Sequence, residues 1–312
     1  MFESELLDDF GGVGRAIRLS NGVYDLVVTL DVGPRILHFA RCGRENILAE
    51  QVDETMAVGE DTWRLYGGHR IWHAPESHPR TYTPDNGPVE GYTMVEDGLV
   101  VTQATDRWTQ IRKILEIRFL DEQVRVRSTL ENRGAWDVTT AVWSITVVKP
   151  GGRVFLPLVQ QEGGFQPVSS FALWSYSRFT DRRITYGSRW LCLDLEAGNR
   201  EEFKIGYSNP NGWLACCYEL GCFTKRYVHR SDGNYPDFGS SSEVYVYYWG
   251  GELETLSPLQ TITPGMSASH EEIWQIHESV AIPRRETADL DRAFDVIAGL
   301  LVASGPDPPA EP

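Results

Sequence analysis

The feature that most constrains this fold is a two-residue period. Between residues 111 and 120, Ile111, Lys113, Leu115, Ile117 and Phe119 alternate with Arg112, Ile114, Glu116 and Arg118. Asp121-Glu122 supplies a turn, and then Val124, Val126 and Ser128 alternate with Arg125, Arg127 and Thr129. Side chains on a strand point to opposite faces in turn, so this pattern predicts paired, half-buried strands with a charged outer face. Related signals run along the chain. Tyr24–Leu30, a turn at Asp31-Val32-Gly33-Pro34, and Arg35–Ala40 read as a hairpin. Tyr92–Glu96 and Leu99–Thr105, joined by Asp97-Gly98, read as another. Asp137–Val148 is nearly continuous in β-formers and is expected to be a central strand. Further strands are expected at Phe203–Tyr207, Trp213–Tyr218, Cys222–Val228, Glu243–Trp249, Glu252–Leu256 and Glu271–Ile276. Residues 51–65 read as irregular, 150–190 as weakly ordered around Gly151-Gly152 and Gly163-Gly164, and 229–242 as a polar loop. Only Glu286–Leu301 reads as a helix, with Leu290, Ala293, Phe294, Ile297 and Leu301 on one face. Many short strands and one late helix give an all-β sandwich or barrel. No repeat or linker divides the chain. The expectation is a single large antiparallel β-sandwich domain over 1–302 with a short C-terminal helix, and a disordered Pro-rich tail over 303–312.

A net charge of -15 argues against nucleic acid and anionic membranes as partners. No apolar run approaches the roughly 18 residues of a bilayer span, and the acidic start of the chain does not read as a signal peptide. Five Cys without a C-x-x-C repeat fit reduced thiols in a cytoplasmic protein better than a disulfide framework or a zinc site.

Chemistry concentrates in residues 66–80, which hold His69, Arg70, Trp72, His73, Glu76, His78 and Arg80. Gly67 and Gly68 precede the cluster and Pro75 and Pro79 lie within it, so its backbone is expected to follow turn chemistry. A His titrating near neutrality can pass protons to a ring oxygen or hydroxyl, and Glu76 can orient His73. The bland alternative is a loop whose polar groups satisfy the backbone. Arg70 offers a planar fork for a hydroxyl or carboxylate, or pairs with one of many acids. Trp72 is a stacking platform or a core residue. His69, His73, Glu76 and His78 also form a conceivable metal ligand set, but their spacing matches no metal signature. No metal or cofactor is expected.

Three stretches resemble galactose mutarotase-like (aldose 1-epimerase-like) proteins. They are Gly67–Glu76 (G-G-H-R-x-W-x-A-P-E), Tyr235–Glu243 (Y-P-D-x-G-x-x-x-E), and Gly251–Pro258 followed by Thr263-Pro264-Gly265 and Glu271–Trp274. The resemblance covers about residues 20–280 and is closest to an uncharacterised bacterial branch. It implies a β-supersandwich that binds a sugar. It also implies epimerisation by acid–base chemistry, with Glu254 as base and His69 or His73 as acid. Arg70, Trp72, Glu76, Asp237 and Glu243 would bind the substrate. The family's second, mid-chain His has no counterpart, because none occurs between His78 and His229. Two alternatives follow. One is a carbohydrate-binding protein without catalysis. The other is a lyase or isomerase for an anionic sugar, possibly metal-dependent, with Lys225, Arg226, His229 and Arg230 as its basic patch.

Overall fold

The structure is a computed structural model that describes residues 2–160 and 163–303. It consists of two large antiparallel sheets. The first centres on Val138–Val148, flanked on one side by Asp61–Ala74 and on the other by Gly250–Leu256. Ser242–Tyr247 and Phe203–Tyr207 continue it outward. The second contains Ile111–Leu120, Gln123–Asn132, Ser267–His277, Gly221–Tyr227 and Trp213–Tyr218. The all-β expectation therefore holds. The alternation that predicted it appears residue by residue in burial over Ile111–Leu120 and Gln123–Asn132.

The apolar faces of the two sheets meet in one core that includes Leu26, Phe39, Ile71, Leu115, Val126, Val142, Phe223, Leu253 and Trp274. The helix Thr287–Ala303 covers the outer face of the second sheet. Its Leu290, Phe294, Ile297 and Leu301 pack on Phe155, Trp190 and Trp213. It runs past the expected end at Leu301 to Ala303, and the rest of the expected tail lies outside the described residues. No helix among the described residues is long and apolar enough to cross a membrane.

Two expectations need correction. Residues 51–65 are a hairpin, formed by Glu50–Val58 and the first half of Asp61–Ala74. Its exposure pattern is too polar to have read as strand. The stretch from Tyr66 is likewise a strand up to Ala74 rather than a turn-shaped loop. Gly67 and Gly68, at φ 97° and 63°, mark where this strand leaves the hairpin and enters the sheet. A Cβ on Gly67 would lie 2.2 Å from the Ala49 carbonyl oxygen, and one on Gly68 2.1 Å from that of Ile36. The glycines thus allow a crossing of strands where a side chain would collide with backbone. The 150–190 region holds the short strands Arg153–Pro157, Phe171–Leu173, Ile184–Tyr186 and Trp190–Asp194.

Candidate active site

Strand register sets the site. On the outer face of the first sheet, Arg70, Ile145, Glu254, Glu243 and Gly206 form one cross-strand row. Gly68, Val147, Glu252, Tyr245 and Lys204 form the next. Trp72 and Trp143 pair in the row on the other side of Arg70 and Ile145. This face borders a cavity of about 500 Å³, within the range of small-molecule sites. The cavity is bounded by Arg70, Trp72, Trp143, Lys204, Tyr245 and Glu252 on the sheet, and by Trp63 and Leu65 from the hairpin. Trp174, Tyr176, Glu202, Tyr247, Trp249, Glu54, Glu76 and Tyr82 also line it.

The predicted residues divide between the two faces. Arg70, Trp72 and Glu76 line the cleft, and so does Glu252, which is not among the predicted site residues. Glu254 is fully buried on the same sheet face as Glu252 and opposite Leu253, and is not itself among the residues that line the cavity. Glu243 sits directly across from Glu254 on the next strand. Asp237 is half-buried in the turn Pro236–Gly239, with Asp237 and Phe238 both in the left-handed region at φ 49° and 61°. That turn packs at the end of the row, where a Cβ on Gly206 would come within 2.6 Å of Ser240 Oγ.

His69 and His73 do not share the cleft. They alternate with Arg70 and Trp72 along one strand, so they point between the sheets. His69 Nδ1 is 3.0 Å from Thr146 Oγ1, and its ring meets Trp274 edge-on. Burial pushes both His down to about 3. They are therefore neutral near pH 7. Four residues apart on one strand, His69 and His73 share a face, and that face is the core. His78 is exposed at the cleft mouth against Tyr82. This separation also breaks up the conceivable ligand set. Among the described residues, no group of three or more His, Cys, Asp or Glu is placed to hold a metal ion.

The sequence reading missed Lys204. Its Nζ lies 2.7 Å from Glu243 Oε2 and 2.8 Å from Glu254 Oε2. It also sits 4.6 Å from the ring centre of Trp143 and 4.5 Å from that of Trp174. Burial alone would lower its pKa, but the two carboxylates outweigh burial and hold it well above the ordinary lysine value. Trp143 Nε1 donates to Glu254 Oε2 at 2.8 Å. Arg70 Nη2 donates to Glu252 Oε1 at 2.9 Å, and its guanidinium stacks 4.6 Å from the Trp72 ring centre. Burial raises the pKa of Glu252, with Arg70 opposing. Burial likewise raises Glu243, against Lys204. The one available signal for Lys204 was its place in F-K-I-G-Y, where alternation sets it on the face opposite Phe203, Ile205 and Tyr207.

Several buried polar atoms facing this side have no partner among the described residues. They are Glu254 Oε1, Arg70 Nε and Nη1, Trp63 Nε1 and Trp72 Nε1. Buried polar groups are normally satisfied, so such a group of orphans beside a cavity marks a place for a polar ligand.

The expected basic patch is dispersed. Lys225 and Arg226 alternate along Gly221–Tyr227 and are both buried. Lys225 points into the core toward Glu272, while Arg226 reaches the C-terminal helix at Leu301. His229 stacks on Tyr235, and Arg230 is near Asp232 at 3.9 Å.

No protein-family model matches the sequence, and a search of curated proteins gives no match. Solved structures do match. One is "a putative aldose 1-epimerase" from Klebsiella pneumoniae, at TM-score 0.62 and 11% identity, covering 100% of this chain and 89% of that one. A TPR-domain containing protein from Parabacteroides distasonis matches at TM-score 0.55 and 14% identity, over 95% of this chain and 56% of that one. A galactose mutarotase-like protein from Lactobacillus casei gives a looser overlay, TM-score 0.47 at 9% identity, over 84% of this chain and 100% of that one. At such identities the likeness concerns the fold: this chain has the two-sheet β-sandwich of galactose mutarotase-like, aldose 1-epimerase-like proteins.

Proposed function

We propose that the protein binds a sugar in this cleft and interconverts its anomers by acid–base chemistry. The observation that carries the reading is an aromatic-walled cavity lined by Glu252, with Glu254 buried beside it on the same sheet face and with orphaned buried polar atoms around both. Aromatic faces stack on the apolar faces of sugar rings, while the orphans match hydroxyl groups. A structural neighbour named as "a putative aldose 1-epimerase" agrees with it.

Glu254 is the base. Trp143 and Lys204 fix its Oε2, and Oε1 is free to take the proton of the anomeric hydroxyl. Glu252 replaces His69 and His73 in the acid role. Burial shifts it toward the protonated form against the pull of Arg70, and the protonated carboxyl gives its proton to the ring oxygen as the C1–O bond breaks. The open-chain aldehyde rotates about C1–C2. The ring oxygen then attacks the other face, returning one proton to Glu252 while the new anomeric oxygen recovers the other from Glu254. Proton transfers alone suffice, so no cofactor is assigned. The five cysteines are free, which suits a reducing compartment such as the cytoplasm.

A second reading is a sugar-binding protein without catalysis. It is favoured by one observation: no histidine is among the residues that line the cleft. Saturation-transfer NMR on a panel of aldoses separates the two. Faster exchange between α and β anomers supports the enzyme. Binding by calorimetry with an unchanged exchange rate leaves the second reading.

A further inference from the structure

The charges of the cleft narrow the ligand. Each cation facing it is already matched. Arg70 pairs with Glu252, and Lys204 pairs with Glu243 and Glu254. Around the mouth stand Glu54, Glu76 and Glu202, none of which has an ion-pair partner among the described residues. Glu76 accepts a hydrogen bond from Tyr82, and Glu202 accepts one from Tyr245 at 2.7 Å. Two cations, Arg70 and Lys204, therefore line the cavity with four carboxyl groups, Glu54, Glu76, Glu202 and Glu252, and Lys204 is already matched from below by the buried Glu243 and Glu254. Neither Lys225 nor Arg226 adds to them, since both point away. A phosphate or carboxylate on the ligand would enter a field of its own sign.

The aromatic rings show the same bias. On the floor, the indoles of Trp143 and Trp174 already hold the Lys204 ammonium, beside two carboxylates. Trp63 and Trp72 hold the Arg70 guanidinium. Next to Lys204 on the same sheet face, Tyr245 gathers the same ingredients with no cation over its ring among the described residues. Tyr245 touches Tyr176 at 6.3 Å and Trp249 at 5.8 Å between ring centres, and Glu202 sits on the Tyr245 hydroxyl. No Lys or Arg among the described residues lies over these three rings. Aromatic faces flanked by carboxylates are a recognition site for ammonium groups. Buried atoms without partners, Arg70 Nη1 and Trp72 Nε1, face the same cavity and mark it as a ligand site independently of the acids.

We propose that the ligand is an amino sugar, with its ammonium group between Tyr176, Tyr245, Trp249 and Glu202. This rests on the sugar-binding reading above and extends it to the class of sugar. The test is calorimetry of the full chain with D-glucosamine, D-galactosamine, N-acetyl-D-glucosamine, D-glucose and D-glucuronate. An amino sugar is expected to bind about tenfold or more tighter than the uncharged sugars, with glucuronate weakest. The preference should shrink with added salt. Glu202→Gln should remove most of it, and circular dichroism would show that the variant is folded.

Equal affinity for glucosamine, N-acetylglucosamine and glucose would overturn the amino-sugar proposal but leave the sugar-binding reading intact. Tighter binding of glucuronate would overturn it as well. Binding of glucosamine without anomer exchange would instead sink the enzyme reading and leave this proposal standing. No binding of any of the five sugars would overturn both.

Discussion

Lys204 and Lys225 are both buried on strands of this sandwich, yet they belong to opposite kinds of site. Lys225 points between the sheets. Its Nζ reaches Glu272 Oε1 at 2.8 Å, Thr146 Oγ1 at 2.9 Å and the Leu253 carbonyl at 2.9 Å. Glu272 is bonded in turn by Trp274 Nε1 at 2.9 Å and by Thr255. Every polar atom in that knot is used. Lys204 points outward and meets two carboxylates and two indoles, and beside it Glu254 Oε1 is left free. Burial dominates at Lys225 and lowers its pKa despite Glu272, whereas two acids overcome burial at Lys204. A saturated knot makes structure; an unsaturated one beside a cavity makes a site.

The comparison breaks most sharply at Glu254. Glu254→Gln keeps the shape and loses the base, so anomer exchange should fall by about 10²–10⁴-fold while sugar affinity changes little. Single-turnover exchange NMR beside calorimetry checks this. An unaltered rate would remove Glu254 from the mechanism. Lys225→Met comes next. It strips a fully buried carboxylate, Glu272, of its cation, a change that costs about 3–5 kcal/mol in unfolding free energy. Denaturant titration would measure it. Lys204→Met should cost clearly less stability, because Glu243 already leans toward its protonated form. Its main effect should be on sugar binding. Equal losses of stability in the two variants would erase the distinction drawn between the knots.

How much of this was legible follows from what alternation can and cannot say. Period two established the strands at Ile111–Leu120 and Gln123–Asn132, and it put Glu252 and Glu254 on one face and His69 with His73 on one face. It could not say which face was core. That depends on the partner sheet, a matter of long-range pairing that a local pattern does not carry. Arg70 and Trp72 were singled out beside His69 and His73, and their neighbours in the strand went to opposite sides. Lys204 was missed because its strand is apolar around it, and its partners Glu243 and Glu254 lie 39 and 50 residues later. The hairpin 50–67 was missed for the converse reason. It is polar and twisted away from the core, and its end is set by backbone crowding at Gly67 and Gly68.

The smallest expected effect separates the two faces at a single histidine. His73 is neutral in the fold, with a pKa pushed down by burial to about 3 against an ordinary 6.5. Between pH 3 and 6.5 the unfolded chain binds more protons at this residue than the native one, so stability rises with pH across that window. The contribution is complete above about pH 6.5 and is lost as the pH falls. At pH 4.5 it amounts to roughly 2–3 kcal/mol for His73, and a similar loss applies to His69. The neighbouring charges Lys113 and Arg80 act in the same direction. His73 Nε2 has no partner among the described residues, so His73→Leu gives up no hydrogen bond of that atom. The variant should therefore flatten the acid limb of the stability profile by about one proton, measured by urea titration from pH 7 to pH 4.5. Because the side chain lies on the far side of the sheet from Glu254, anomer exchange at pH 7 should stay within about twofold of the parent. A hundredfold loss of exchange in a stably folded His73→Leu protein would return the histidine to the reaction and overturn the assignment of Glu252 as the acid.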